Sequence, residues 1–178
     1  MPEMSDSAMD NPQVTAEDVA WLAGIWDGEG TISVRRCVKI NQFSPRISMV
    51  NTNPEIIRHT VDILTRLGMN PYLREKGQGG FPGSSKQCWI VSIETLGGSR
   101  KFLDTVAPLL RGKCAQADIL NRFVTSRLTR RSQVTRQSDC PYNDEEFDAL
   151  EALYIANGNQ RGTSETIRRA PPDRRMKI

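Results

Sequence analysis

Two carboxylates, Asp27 and Glu29, close the segment Ala20-Trp21-Leu22-Ala23-Gly24-Ile25-Trp26-Asp27-Gly28-Glu29-Gly30. The residues before them read as a helix. A helix C-terminus carries partial negative charge, so acids there are unfavourable unless a cation offsets them. The pair therefore points to a divalent ion held at the helix end. Ala20, Gly24 and Gly28 recur every four residues and share one helix face. A face without bulk lets a second backbone approach closely, which predicts a docking surface made of Ala20, Ala23, Gly24 and Gly28. The chain holds no second copy of the segment, so the partner helix is expected from another copy of the chain, in a homodimer.

Composition narrows the class. The net charge of +3 conceals a polarity, because residues 1–30 hold seven acids and no Lys or Arg. All 24 basic residues lie in 31–178, where they outnumber the acids by ten. Such an excess suits contact with phosphates. Cys37, Cys88, Cys114 and Cys140 are widely spaced and His59 is the single histidine, which disfavours zinc and predicts reduced thiols. No apolar run approaches the roughly 20 residues that span a bilayer. The acidic N-terminus lacks the features of a signal peptide, so an intracellular protein of open compartment is expected, with no membrane partner.

The elements that must position the acids follow from periodicity. Residues 1–14 lack a hydrophobic period and read as disordered. Thr15, with Asp18 three residues on, is a capping-box signature. It opens a helix that turns Val19, Leu22, Ala23 and Trp26 inward and stops at Gly28-Glu29-Gly30. Residues 31–39 alternate, with Thr31, Ser33, Arg35, Cys37 and Lys39 on one face and Ile32, Val34 and Val38 on the other; Arg36 is the exception. Residues 46–50 repeat the pattern, with Ile47 and Met49 inward, and complete a hairpin.

A second helix starts at Asn53-Pro54-Glu55 and ends at Gly68, with His59 as a surface or packing residue. Tyr72–Lys76 and residues 87–94 form a second hairpin, in which Trp89, Val91 and Ile93 point one way and Cys88, Ile90 and Ser92 the other. Helices are then expected after Gly98-Ser99, over 115–129, over 144–156 and from Ser164, before a basic tail at 171–178. The sum is one α+β domain over 15–170.

Leu22-Ala23-Gly24-Ile25-Trp26-Asp27-Gly28-Glu29-Gly30 resembles the signature of the LAGLIDADG homing endonucleases. The αββαββα order resembles that family's core. Pro108-Leu109-Leu110-Arg111-Gly112-Lys113 is similar to the segment that carries its active-site lysine. Thr163-Ser164-Glu165-Thr166-Ile167-Arg168-Arg169 resembles the C-terminal segment of the single-motif branch found in chloroplast ribosomal-RNA introns.

The resemblance implies a curved four-stranded antiparallel DNA-binding sheet, extra C-terminal helices and metal-dependent DNA cleavage by a homodimer. Glu29 becomes the metal-binding catalytic carboxylate, where the family often has Asp. The extra methylene moves the carboxylate by about one bond length, which the tight geometry of Mg²⁺ registers. The Gly28 carbonyl becomes a further ligand. Lys113 becomes the basic group at the scissile phosphate, stabilising charge or orienting water. Asp27 reads as support for the helix junction through local hydrogen bonds. A polar residue is implied at the end of the second strand, where alternation favours Asn51 with Thr52 second. Mg²⁺ or Mn²⁺ is the implied cofactor, with Ca²⁺ binding but not supporting cleavage.

On the same resemblance, outward strand residues Ser33, Arg35, Cys37, Lys39, Arg46, Ser48, Arg74, Lys76, Lys86, Cys88 and Ile90 lie in the major groove. Arg111 and Arg161 add DNA contacts. Arg and Lys suit guanine edges, and Ile a thymine methyl. The implied product is a double-strand break in a long, partly palindromic target, an intron insertion site in a ribosomal RNA gene. Two other functions remain open: a maturase of the same fold that binds intron RNA, and a DNA-binding regulator without cleavage. The presence of both acids and Lys113 argues against the regulator, and a single histidine excludes His-rich nuclease motifs.

Overall fold

The computed structural model describes residues 13–37, 42–76, 87–135 and 140–158. Thr15 caps helix α1 (Ala16–Glu29): its hydroxyl accepts the Asp18 N–H while the Asp18 carboxylate accepts the Thr15 N–H, both at 3.1 Å. The expected capping box is therefore formed. Leu22, Ala23 and Trp26 turn into the core, and Ala20, Gly24 and Gly28 face outward. Strand β1 (Gly30–Cys37) begins at the very next residue, with the Gly30 N–H bonded to the Trp26 carbonyl. A Cβ at Gly30 would overlap the Trp26 indole, so the helix-to-strand junction needs glycine there.

β1 pairs antiparallel with β2 (Gln42–Asn51), from Gly30 opposite Met49 to Cys37 opposite Gln42. After helix α2 (Pro54–Arg66) come β3 (Tyr72–Lys76) and β4 (Cys88–Ile93). The sheet order is β1-β2-β4-β3, all antiparallel. Helices α3 (Leu96–Thr105), α4 (Cys114–Arg131) and α5 (Asp144–Ala156) complete the described chain. The expected αββαββα order is present. One sheet face, through Ile32, Ile47, Met49, Val91 and Ile93, packs in a single core with Leu22, Trp26, Leu64, Phe102 and Phe123. Burial of this apolar area is the main stabilising term.

Two boundaries differ from the sequence reading. α3 starts at Leu96 rather than after Ser99, because the Thr95 hydroxyl accepts the Gly98 N–H at 3.1 Å and caps it. Gly98 is inside the helix since a Cβ there would meet the Met69 carbonyl at 2.8 Å. β2 starts four residues before Arg46 and runs through Pro45. β4 pairs with β2 only from Ile47 onward, so on that side residues 42–46 have no strand neighbour. A proline is tolerated on such an edge because no ladder bond needs its missing N–H. At Phe43 the Tyr142 hydroxyl completes the edge, accepting from the Phe43 N–H at 2.7 Å and donating to its carbonyl at 3.1 Å. Arg36, the exception to alternation in β1, lies opposite Phe43 with its guanidinium 5.6 Å from that ring.

The α4–α5 pair is joined by a buried polar network. Glu146 is fully buried and its carboxylate accepts from Arg130 at 2.8 Å, Ser126 at 3.2 Å and the Asn143 N–H at 3.1 Å. Arg127, also buried, sits 3.4 Å from Glu146, donates to the Cys140 carbonyl at 3.0 Å and covers the Tyr142 ring at 4.3 Å. Burial pushes the Tyr142 hydroxyl pKa up, above the ordinary phenol value. His59 is exposed on α2 and meets Trp21 edge-on at 4.6 Å, as a packing residue. No helix among the described residues is long and apolar enough to cross a membrane.

Candidate functional site

The end of α1 carries Asp27 and Glu29, with no basic residue in its last turn. The two acids have different surroundings. Asp27 faces the turn before α4: one carboxylate oxygen accepts the Arg111 N–H at 2.7 Å, and the other accepts the Lys113 N–H at 3.1 Å. Burial raises its pKa, but bonds from the backbone N–H groups of Arg111, Gly112 and Lys113, together with the Lys113 charge, outweigh that and hold it below the ordinary carboxylate range. Asp27 thus ties the end of α1 to the start of α4. It also aligns Lys113, whose ammonium donates to the Asp27 backbone carbonyl.

A pH dependence follows. A carboxylate with a lowered folded pKa contributes stability that is complete above its unfolded pKa and is lost as pH falls through the folded value. D27N is expected to lower stability at neutral pH by about 1–2 kcal/mol, because an amide can accept on only one side. Its unfolding free energy should fall less steeply than wild type below about pH 5. Urea titrations across pH 3–7 check this (a range set by ordinary carboxylate pKa values near ~4); parallel acid slopes would refute the role given to Asp27.

Glu29 is exposed and makes no ion pair or hydrogen bond among the described residues. Gly28 beside it is equally open, with nothing within 4 Å of where a Cβ would stand. An uncompensated carboxylate at the negative end of a helix is a place where a cation is favourable. Oxygen donors of this kind fit Mg²⁺ or Ca²⁺ rather than zinc. No group of three or more His, Cys, Asp or Glu able to hold a metal occurs among the described residues. The described acids, histidine and cysteines thus do not complete a shell around Glu29, which leaves backbone carbonyls, water, a phosphate or a second chain as further ligands.

Gly24 is as open as Gly28, and Ala20 is exposed on the same side of α1. Ala23 is different: it is 3% exposed and belongs to the chain's own core, so it is unavailable to a partner. The small-residue face is Ala20, Gly24 and Gly28. Asn51 lies opposite Trp89, two residues beyond Met49, the register partner of Gly30. Its Oδ1 accepts the Asn53 N–H at 2.8 Å in the turn leading to α2. Thr52 is exposed. Between Lys113 and β1 an open cleft of about 470 Å³ is lined by Thr31, Ser33, Tyr154 and Asn157.

The register assigns the other face of the sheet. Thr31 pairs with Ser48, Ser33 with Arg46, Arg35 with Ser44 and Cys37 with Gln42. Val50 pairs with Ile90, Arg74 with Ile90 and Lys76 with Cys88. Paired residues share a face, so Ser33, Arg35, Cys37, Arg46, Ser48, Arg74, Lys76, Cys88 and Ile90 all occupy the face away from the core. Ser48 and Ile90 are nevertheless buried beneath their neighbours, at 8% and 6% exposure, and are poorly placed to reach a ligand directly. Arg111 is exposed in the turn that Asp27 holds. Lys39, Lys86 and Arg161 lie outside the described residues, as do the first 12 residues, the helix expected from Ser164 and the basic tail.

Sequence reasoning left two residues of this face, Tyr72 and Glu94, unassigned, and put Ser92 on it by alternation without counting it among the DNA contacts. Tyr72 pairs with Ser92, and one residue beyond the β2–β4 ladder Glu94 stands across from Arg46. Strand parity, followed to the end of β4, would have placed Glu94 beside the arginines.

The fold agrees with comparisons to known proteins. A family described as a LAGLIDADG-like domain matches residues 16–110, from the start of α1 to the turn before Lys113. Curated protein sequences give no match. Among solved structures the chain is similar to the homing endonuclease I-CvuI in complex with its target in the presence of Ca. The TM-score is 0.59 at 18% identity, covering 86% of this chain and 94% of that one. It is also similar to I-CeuI, a group I intron-encoded homing endonuclease complexed with DNA, at TM-score 0.56 and 14% identity over 85% and 73% of the two chains. An archaeal intron-encoded homing endonuclease, I-Vdi141I, complexed with DNA, gives TM-score 0.55 and 14% identity over 82% and 86%. With the family match spanning more than half of its residues, the chain belongs to the LAGLIDADG-like family and has the homing-endonuclease fold.

Proposed function

We propose that the chain is a homodimeric, site-specific DNA endonuclease that uses Mg²⁺ or Mn²⁺ to make a double-strand break. Its target is a long, partly palindromic sequence, an intron insertion site in a ribosomal RNA gene. The observation that carries this reading is the division of labour at the end of α1. Asp27 is consumed by structure, while Glu29 is left exposed and uncompensated beside the open Gly24–Gly28 face. Two chains docked through Ala20, Gly24 and Gly28 bring two Glu29 carboxylates to one axis, one for each DNA strand.

In that arrangement Glu29 and the Gly28 carbonyl hold the ion. When bound, the ion supplies an acidified water and charge stabilisation at the attacking and leaving oxygens. Lys113 is aligned through Asp27, and on this reading its ammonium would offset charge on the phosphate. Asn51 has its amide NH₂ left to orient solvent, since its Oδ1 is engaged in the turn. The outer sheet face, with Arg35, Arg46 and Arg74 among small and polar residues, reads the groove. Solved relatives are described as bound to DNA targets, and I-CvuI also as bound to uncleaved DNA in the presence of Mg.

Incubation with a plasmid carrying the intron-free insertion site and Mg²⁺ tests the reading. Linearisation is the expected result. Failure to cut, combined with tight binding of the intron RNA, would overturn it in favour of the maturase. The docking face has its own test. Gly24→Leu places a branched side chain where nothing now lies within 4 Å, so it leaves the monomer folded but separates the two helices. Light scattering should report a monomer with an unchanged circular dichroism spectrum; a persisting dimer would remove this face from the interface.

A further inference from the structure

The outer sheet face carries an acid where a DNA-binding surface would be expected to carry none. Glu94 follows directly after β4, and the β2–β4 register continued by one residue places it opposite Arg46. Its carboxylate lies 3.5 Å from Arg35 Nη1 and 3.7 Å from Arg46 Nε, and it accepts from the Ser92 hydroxyl at 3.3 Å. Arg46 Nε is buried and makes no hydrogen bond among the described residues. At 3.7 Å it feels the carboxylate charge without the short contact of a hydrogen bond. These groups, with Tyr72 and Arg74, line an open depression of about 370 Å³.

We infer that Glu94 is the specificity-determining residue of this face, acting by positioning Arg35 and Arg46; the inference rests on the endonuclease reading above. One carboxylate shared by two guanidinium groups lowers the positive charge offered to any phosphate, so sequence-independent binding is weakened. The same carboxylate draws both guanidinium groups to the one depression that they line together on this face. A guanidinium held in plane meets guanine O6 and N7 with two parallel bonds, which a freely rotating one does less well. The loose contact to Arg46 lets the fork leave Glu94 for a guanine at little loss.

The test uses the full-length protein, a duplex of random sequence, and enrichment of binding sequences from a randomised duplex pool. E94Q keeps the shape and the Ser92 bond but removes the charge. It is expected to bind the random duplex about tenfold more tightly in ~0.1 M salt, with a steeper dependence on salt. Guanine preference in its enriched sequences should drop roughly tenfold at one or two positions per half-site. R46K retains the charge without the fork; it should lose the same preference with no gain on the random duplex. Unchanged affinity and an unchanged enriched sequence in E94Q would overturn the inference, and so would loss of a cytosine preference alone, which would make Glu94 a direct reader. A wild-type protein that enriches no sequence would instead overturn the endonuclease reading itself.

Discussion

Glu29→Gln is expected to abolish DNA cleavage while leaving target binding and folding intact. The glutamine amide keeps the size of the side chain and removes the charge that holds a divalent ion. Metal stabilisation of a transferring phosphoryl group supplies several kcal/mol, and each ~1.4 kcal/mol is tenfold in rate. A loss of about a thousandfold or more in cutting rate follows. Binding survives because the side chain lies at the helix end, apart from the outer sheet face, and makes no hydrogen bond or ion pair among the described residues. E29D keeps the charge on a shorter arm and should retain measurable cleavage. Gel assays of linearisation, with mobility shifts in Ca²⁺, separate the two effects. Full cutting by E29Q would remove Glu29 from the mechanism.

The largest effect on stability is expected at Glu146. Its carboxylate gathers Arg127, Arg130, Ser126 and the Asn143 N–H in a site without solvent. E146A strands the Arg127 guanidinium in the core, and breaking a buried ion pair in this way costs about 3–5 kcal/mol. It also removes the capping box of α5, in which Asn143 and Glu146 each bond the other's backbone. Replacing both buried partners, as in R127M/E146L, should recover much of the loss, because the one charge left without its carboxylate, Arg130, is 29% exposed and can be solvated. Urea unfolding of the two variants decides the point; a change below about 1 kcal/mol in E146A would refute the network's role.

Much of this molecule is legible in its residues, and the unreadable parts have physical reasons. Period places α1, α2 and α5 well, and for α1 the Thr15–Asp18 capping box is a local device that needs no tertiary information. The outward face of β1 and β4 follows from alternation, and the register bears it out. Pro45 hid the first half of β2, because proline reads as a break unless the strand is known to have an unpaired side. Gly97 and Gly98 hid the start of α3, where close approach to Met69 outweighs poor helix propensity. At the site, the different roles of Asp27 and Glu29 could be suspected from the helix end. Only the turn at Arg111–Lys113, 84 residues on in one bond, identifies what Asp27 holds. Ala23 counted as docking surface on composition, whereas its place in the 3.6 period assigns it to the core.

The stretch of β2 without a β4 neighbour has a consequence for how the protein survives in a crowded cell. A strand margin with free N–H and C=O groups is a template on which another extended chain can add, the first step of many aggregates. Between residues 42 and 46 that template is dismantled twice, by a proline with nothing to donate at position 45 and by a phenol occupying both groups of Phe43. On β1, one of the two outer strands of the sheet, the Ile32 carbonyl is engaged by Asn157 at 3.0 Å. Pro45, Tyr142 and Asn157 thus protect the unpaired stretch of β2 and one point of β1 against the addition of another strand.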